Sequence, residues 1–281
     1  MENKKALPKR PLGNTGADIT LLGLGGEGIL RTYGEEKRAV ALIQRALDLG
    51  ITYFESARAY SGSESYYGLA LGERRREIFL ASKSHERTAE GALRHLETTL
   101  QRMRTDFLDL WMVHDVRTFG EIEEIFSPTG AIRAFEEAKR QGMVRFIGIS
   151  GHKNPDVLSK ALDRFPFDAV LMPVNPAEPH YRSFLSEVLP KALGKGMGVL
   201  GMKTLSRGVS LRVFGDEAAE TFLRFALTQP ISSAVVGCDS LEQLETNVRI
   251  AQSFQPMEDP EEVLLINRVR AYCREMMYYK W

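Results

Sequence analysis

The chain is poor in the residues that build metal centres and covalent cross-links. Its 281 residues include two cysteines, Cys238 and Cys273, and five histidines. Two cysteines exclude a disulfide framework and any four-cysteine zinc or iron–sulfur site. No H-x-H, H-E-x-x-H or acidic cluster marks a metal barrel, so no metal is expected. An excess of one charge is missing too: 37 Lys+Arg balance 37 Asp+Glu, for a formal net charge of +0. That balance excludes a strongly basic nucleic-acid binder and an acidic tail protein. No apolar run reaches about 18 residues, so no membrane-spanning helix is expected. The opening MENKKALPKRPLG holds no apolar stretch, which argues against a secretory leader. A cytoplasmic globular protein is the expectation.

What the chain does have is alternation. Short apolar, β-branched runs fall at residues 19–26, 51–56, 78–84, 107–114, 144–150, 169–175, 198–204 and 233–238. They start roughly 30 residues apart, the length of one βα unit. Between them lie stretches of helical period. Ala39, Val40, Ile43, Ala46 and Leu47 share one face over residues 35–49, and Ala92, Leu93, Leu96, Leu100 and Met103 share one over 89–103. Asn154 before Pro155, Asp216 and Ser240 are expected N-caps, and Pro190 marks a first turn or a break. Runs such as 169–174 show little alternation, as strands buried on both faces do. Eight such units close into a (β/α)8 TIM barrel, one domain over residues 1–281. Residues 1–18 form an N-terminal hairpin plugging the barrel bottom, and residues 255–281 a C-terminal helix and tail.

One motif competes with this reading. Gly23, Gly25 and Gly28 fit G-x-G-x-x-G, and Glu55 ends the next strand where a ribose-binding acid would stand in a Rossmann dehydrogenase. That fingerprint needs a helix to begin inside it. Here the convincing helix begins only near Glu35, so a loop at the barrel mouth is expected instead.

In a TIM barrel, chemistry gathers at the C-terminal ends of the strands. The second, third and fourth runs end in Glu55, Lys83 and His114, and Tyr60 follows Glu55 closely. An ionised group ending a buried strand is costly unless paired, so Glu55 and Lys83 are expected to pair across adjacent strands. Lys83 would then lower the pKa of Tyr60, which at about 10 is too high for efficient proton exchange near neutrality. His114 can orient a carbonyl oxygen beside the Tyr60 hydroxyl. Each residue alone has an ordinary structural account; the four together point to a proton-transfer site.

With these motifs the chain resembles the aldo/keto reductase superfamily over almost its whole length. Arg10-Pro11-Leu12-Gly13 and Leu22-Gly23-Leu24-Gly25-Gly26 look like its opening hairpin and first strand. Gly50-Ile51-Thr52-Tyr53-Phe54-Glu55-Ser56-Ala57 with Tyr60, Ala81-Ser82-Lys83, Val113-His114 and residues 144–150 look like its later motifs. The resemblance implies reversible hydride transfer between NADPH, or NADH, and a small-molecule carbonyl. Tyr60 would be the general acid, Lys83 its modulator, His114 the orienting residue and Glu55 the partner of Lys83. Gly25, Gly26, Ser150, Met202, Lys203, Leu205, Arg207, Gly237, Cys238, Gln243 and Asn247 would line the cofactor site.

The pattern is altered in places. Glu55 stands where the family has aspartate, moving the carboxylate by roughly 1.5 Å. Gly151 and Leu171 replace the polar pair that holds the nicotinamide amide, and Met202 replaces the stacking tyrosine. Gly237 and Gln243 replace cations for a 2′-phosphate, and Asp239 adds an unfavourable charge; Lys203 and Arg207 are the substitutes. Ser240 and Gln243 equally form a capping box. These departures leave a second reading, a nucleotide-binding regulatory or interaction subunit. His85, His95, His152 and His180 look scattered, with His95 solvated for want of a partner at i+4. The aromatic tail 276–281 and the 116–130 connection are candidate substrate walls.

Overall fold

The computed structural model describes residues 6–281. Eight parallel strands form a closed barrel: β3 (Leu22–Gly28), β4 (Tyr53–Glu55), β5 (Phe79–Ser84), β6 (Leu108–Val113), β7 (Val144–Ser150), β8 (Ala169–Pro173), β9 (Gly198–Met202) and β10 (Ser233–Cys238), with β10 returning to β3. The expected (β/α)8 barrel is the observed fold. No helix among the described residues is long and apolar enough to cross a membrane.

The first apolar run divides in two. Ile19 belongs to a short strand β2 (Asp18–Thr20), which pairs antiparallel with β1 (Lys9–Pro11); the barrel strand starts only at Leu22. This hairpin closes the barrel bottom. Asn14 donates its backbone N–H to the Gly196 carbonyl, and Arg10 donates to the carbonyls of Leu227 and Ile231. Of the hairpin segment, residues 1–5 lie outside the described residues.

Inside the barrel, Leu12, Ile19, Tyr53, Ala81, Leu110, Leu171 and Leu200 pack into one apolar cluster. Residues of β4 to β10 reach it, while β3 turns Leu22 and Leu24 to the larger cluster under the helices and has only Gly23 between them. Lys83 lies in register with Met112 and Ser150 with Leu171, so the polar side chains begin where this apolar filling ends.

The glycine motif is neither a dinucleotide loop nor a mouth loop. All of it is strand β3, a short 3-10 turn follows, and the helix begins at Glu36. Its glycines serve packing: a Cβ on Gly23 would come within 2.4 Å of the Tyr53 ring, and one on Gly26 within 2.9 Å of the Tyr60 ring.

Helices 36–48 and 89–103 lie where periodicity puts them. Asn154 and Ser240 cap as expected, through bonds from the Asp156 and Gln243 amides. Pro190 marks a real break, between the helices Phe184–Glu187 and Leu189–Gly194. Asp216 does not cap: the helix starts at Ala218, and the Asp216 carbonyl rather than its side chain takes the Ala219 amide. The long connection after β6 carries its own helix, Phe119–Ile125, started by a Thr118–Glu121 capping box.

Candidate active site

A cavity of about 380 Å³ opens at the C-terminal ends of the strands. Tyr60, Lys83 and His114 line it from three consecutive strand ends, with Ser150, Met202 and Lys203 opposite. The C-terminal Tyr278, Tyr279 and Trp281 form a further wall.

Glu55 closes β4 and Lys83 lies near the end of β5, and the neighbouring strands bring them together. The Lys83 Nζ donates to Glu55 Oε1 at 2.6 Å and to the Ser56 carbonyl at 2.8 Å. Both side chains are almost wholly buried. Two charges this deep persist because each satisfies the other. The longer glutamate side chain also receives the Tyr53 hydroxyl, at 3.4 Å.

Tyr60 sits on a turn tied down on both sides. Arg58 donates its N–H to the Lys83 carbonyl, and Ser56 Oγ donates to Ser63 Oγ at 2.7 Å. The Arg58 guanidinium pairs with buried Glu64, which also accepts from Ser82 and Thr99. The Lys83 ammonium stands over the face of the Tyr60 ring, 4.8 Å from its centroid. The His114 ring meets Tyr60 edge-on at 5.8 Å.

The electrostatics differ from the expectation in one respect. Burial, then the Glu55 carboxylate, push the Tyr60 phenol well above its usual range. The Arg31 cation opposes that shift without reversing it, and the Lys83 charge is paired with Glu55. Tyr60 is thus held as a neutral O–H donor. Burial first, and Lys83 second, hold the His114 imidazole well below its usual range, so it is neutral. Its Nδ1 is buried without a hydrogen-bond partner among the described residues.

The residues expected on the cofactor side fall into two groups. Ser150, Met202, Lys203 and Arg207 line the cavity. Ser150 Oγ is engaged, accepting from the Asp115 amide at 2.9 Å and donating to the Val113 carbonyl at 3.3 Å. Met202 does both things open to it, packing on the barrel interior and facing the cavity. Gly25 and Gly26 contribute backbone in β3, and Leu205 packs partly buried between the helices and the tail. At the end of β10 the side chains serve one another. Asn247 donates to the buried Cys238 thiol at 3.5 Å, and burial pushes that thiol up to about 12. Gln243 Oε1 accepts the Asp239 amide at 2.8 Å. A Cβ on Gly237 would lie 2.8 Å from the Glu27 backbone, so close strand pairing at a register shift accounts for it.

Several cavity residues carry no sequence pattern that would have exposed them. Asp115 adopts φ 52°, pairs with Arg117 and lies 3.3 Å from His152. Its only signal was adjacency to His114. Glu27 and Arg31 pair at 3.1 Å on the opposite rim. Arg38 donates to the Asp239 carbonyl at 3.2 Å, placing a cation beside the acid that disfavours phosphate. The tail is pinned from below: Lys280 Nζ donates to Glu178 at 2.9 Å, and the Tyr279 hydroxyl donates to the same carboxylate at 2.6 Å.

The donor set suits a nicotinamide dinucleotide. After β9 the chain holds Lys203, Ser206 and Arg207 at positive φ, with Ser206 Oγ buried and without a partner among the described residues. Lys203 and Arg207 face the cavity beside it. Two cations and an unanswered hydroxyl on one strained turn form a cradle for an anionic group.

A parallel barrel with polar, ion-paired side chains at its strand ends is built as an enzyme. The chain belongs to the aldo/keto reductase family, whose model matches residues 21–214. L-galactose dehydrogenase of Arabidopsis thaliana is 28% identical, the match covering 97% of this chain and 96% of that enzyme. An uncharacterized oxidoreductase, YqkF, of Bacillus subtilis is 27% identical over 91% of this chain and 95% of its own. Among solved structures, the holo form of aldo-keto reductase AKR11C1 from Bacillus halodurans superposes with a TM-score of 0.79 at 24% identity, covering 94% and 96% of the two chains. An aldo-keto reductase from Klebsiella pneumoniae in complex with NADPH gives a TM-score of 0.77 at 20% identity, again covering 94% and 96%. The protein is an NAD(P)H-dependent oxidoreductase.

Proposed function

We propose that the protein reduces a small aldehyde or ketone to the alcohol, with Tyr60 as proton donor. The observation that carries this reading is Tyr60, Lys83 and His114 together on one cavity wall, with buried Glu55 paired to Lys83 behind them. When bound, NADPH supplies a hydride from its nicotinamide C4 to the carbonyl carbon. Tyr60 gives its proton to the carbonyl oxygen as charge develops there, and recovers a proton from solvent through the open cavity. His114, neutral, donates an N–H to the same oxygen and fixes its position. Lys83 answers the phenolate left on Tyr60, while Glu55 keeps Lys83 charged and aimed. Lys203, Arg207 and Ser206 would hold the phosphates of the nucleotide, Met202 would bound the ring pocket, and the tail residues Tyr278, Tyr279 and Trp281 would narrow the mouth.

NADPH is the preferred nucleotide in this reading and NADH a weaker substitute. Lys203 and Arg207 supply positive charge where Gly237 and Gln243 supply none, and Arg38 offsets Asp239. The test is turnover against a panel of aldehydes and quinones with each nucleotide, alongside fluorescence titration of both. Oxidation of NADPH coupled to carbonyl loss supports the reading. Nucleotide binding with no turnover on any carbonyl would make the protein a nucleotide-binding regulatory subunit instead. Tighter NADH than NADPH binding would reverse the nucleotide preference alone.

A further inference from the structure

We propose that His85, Glu86 and His95 form a binding site for a divalent first-row transition metal of the zinc or cobalt class. The site sits outside the barrel, where β5 hands over to the helix Ala89–Met103. It uses none of the residues assigned to catalysis.

One donor atom from each residue lies within 4.8 Å of the others. The His95 Nε2 and Glu86 Oε1 stand 3.7 Å apart, and the His85 and His95 rings lie 4.7 Å centre to centre. Bonds of about 2.05 Å in a tetrahedron put donors roughly 3.3 Å apart, so the two inner ligands are nearly in register. His85 is exposed, on the connection ahead of the helix, and is free to rotate the remaining distance.

Three features set this cluster apart from a chance meeting of polar surface groups. His95 is oriented by a partner of its own: its Nδ1 is 2.9 Å from Ser84 Oγ. With Nδ1 donating there, the Nε2 lone pair faces Glu86, the arrangement metal-binding imidazoles require. Ser84 Oγ also receives the Glu86 amide at 3.3 Å, so one hydroxyl fixes both ligands. Finally, the Glu86 carboxylate lies over Gly91, where an added Cβ would meet Oε2 at 2.4 Å and push it from its place beside His95. Two imidazoles and one carboxylate suit zinc, cobalt or ferrous iron, with water completing the shell.

The sequence concealed the site. His95 has no partner at i+4, which predicts a solvated side chain, but its partners come from the segment before the helix. The side chain is 20% exposed and hydrogen-bonded.

The test uses full-length, tag-free protein stripped with chelator and titrated by calorimetry with Zn²⁺ and, separately, Co²⁺. One equivalent is expected to bind, with a Co²⁺ visible spectrum of low coordination number. His95→Ala and Glu86→Gln are expected to abolish that equivalent. Ser84→Ala should weaken it roughly 10- to 100-fold, as loss of a ligand-orienting bond does. His85→Ala changes an exposed residue, leaves the fold intact and should weaken binding at least tenfold. Absence of binding by the wild type overturns the proposal. So does binding that survives His85→Ala and His95→Ala, or that is lost instead in His152→Ala, which removes the other histidine lying beside a carboxylate.

Discussion

The two sides of the cavity are built on opposite principles. On the β4–β6 side the deep charges are paired, Lys83 with Glu55 and Arg58 with Glu64, and the turn before Tyr60 is tied to a strand carbonyl. On the β9 side the turn after Met202 holds three non-glycine residues at positive φ, Ser206 Oγ has no partner among the described residues, and the cations outnumber their acids. The first arrangement spends stability on a fixed geometry before any ligand arrives. The second leaves groups unsatisfied that a charged ligand would satisfy. In the proposed reading, chemistry falls to the first wall and nucleotide binding to the second.

Breaking the paired wall should give the largest effects. Lys83→Met leaves Glu55 buried and unanswered beside Tyr60, and kcat for carbonyl reduction should fall about 100- to 1,000-fold. Glu55→Ala strands the Lys83 ammonium; it should lose most turnover and cost about 3–5 kcal/mol in denaturant unfolding. Glu55→Asp keeps the pair and should retain turnover, and full activity in Glu55→Ala would refute the pairing account. The binding wall should respond differently. Arg207→Ala should weaken NADPH about tenfold by fluorescence titration, the loss of one charge-assisted contact, and leave kcat at saturation nearly unchanged. A fall in kcat without a change in affinity would erase the distinction between the walls.

The smallest effect concerns pH. Burial, with Asp115 opposing it, depresses His152 to about 4. The unfolded chain takes up this proton from about pH 6.5 downward, while the folded chain does so only near 4. Stability should therefore decline as pH falls through that window. His152→Gln should lose less over the same range, as read by thermal unfolding.

Much of this was legible in the sequence, for local reasons. The strand ends Glu55, Lys83 and His114 announce themselves because an ionisable group closing an apolar run breaks a one-dimensional pattern. The barrel follows from eight evenly spaced runs. Other features depend on what the fold brings near. Asp115 differs from any loop acid until φ 52° and His152 are known. Lys280 is a tail lysine until Glu178, about a hundred positions earlier in the chain, is found beneath it. The glycine motif was expected as a mouth loop and is strand instead, because close packing of Tyr53 and Tyr60 demands the same residue that a loop near a ligand does. The Tyr60 phenol lies above its usual range, not below it, because burial and the Glu55 carboxylate, neither visible in the strand-end pattern, outweigh the nearby cations.

The most direct test is Tyr60→Phe, which deletes one oxygen and keeps the ring between Lys83 and His114. NADPH affinity should stay within about twofold, while kcat for carbonyl reduction falls roughly 100- to 10,000-fold, the share a positioned proton donor contributes. Turnover within a few-fold of wild type, with NADPH bound normally, would show that the proton comes from elsewhere.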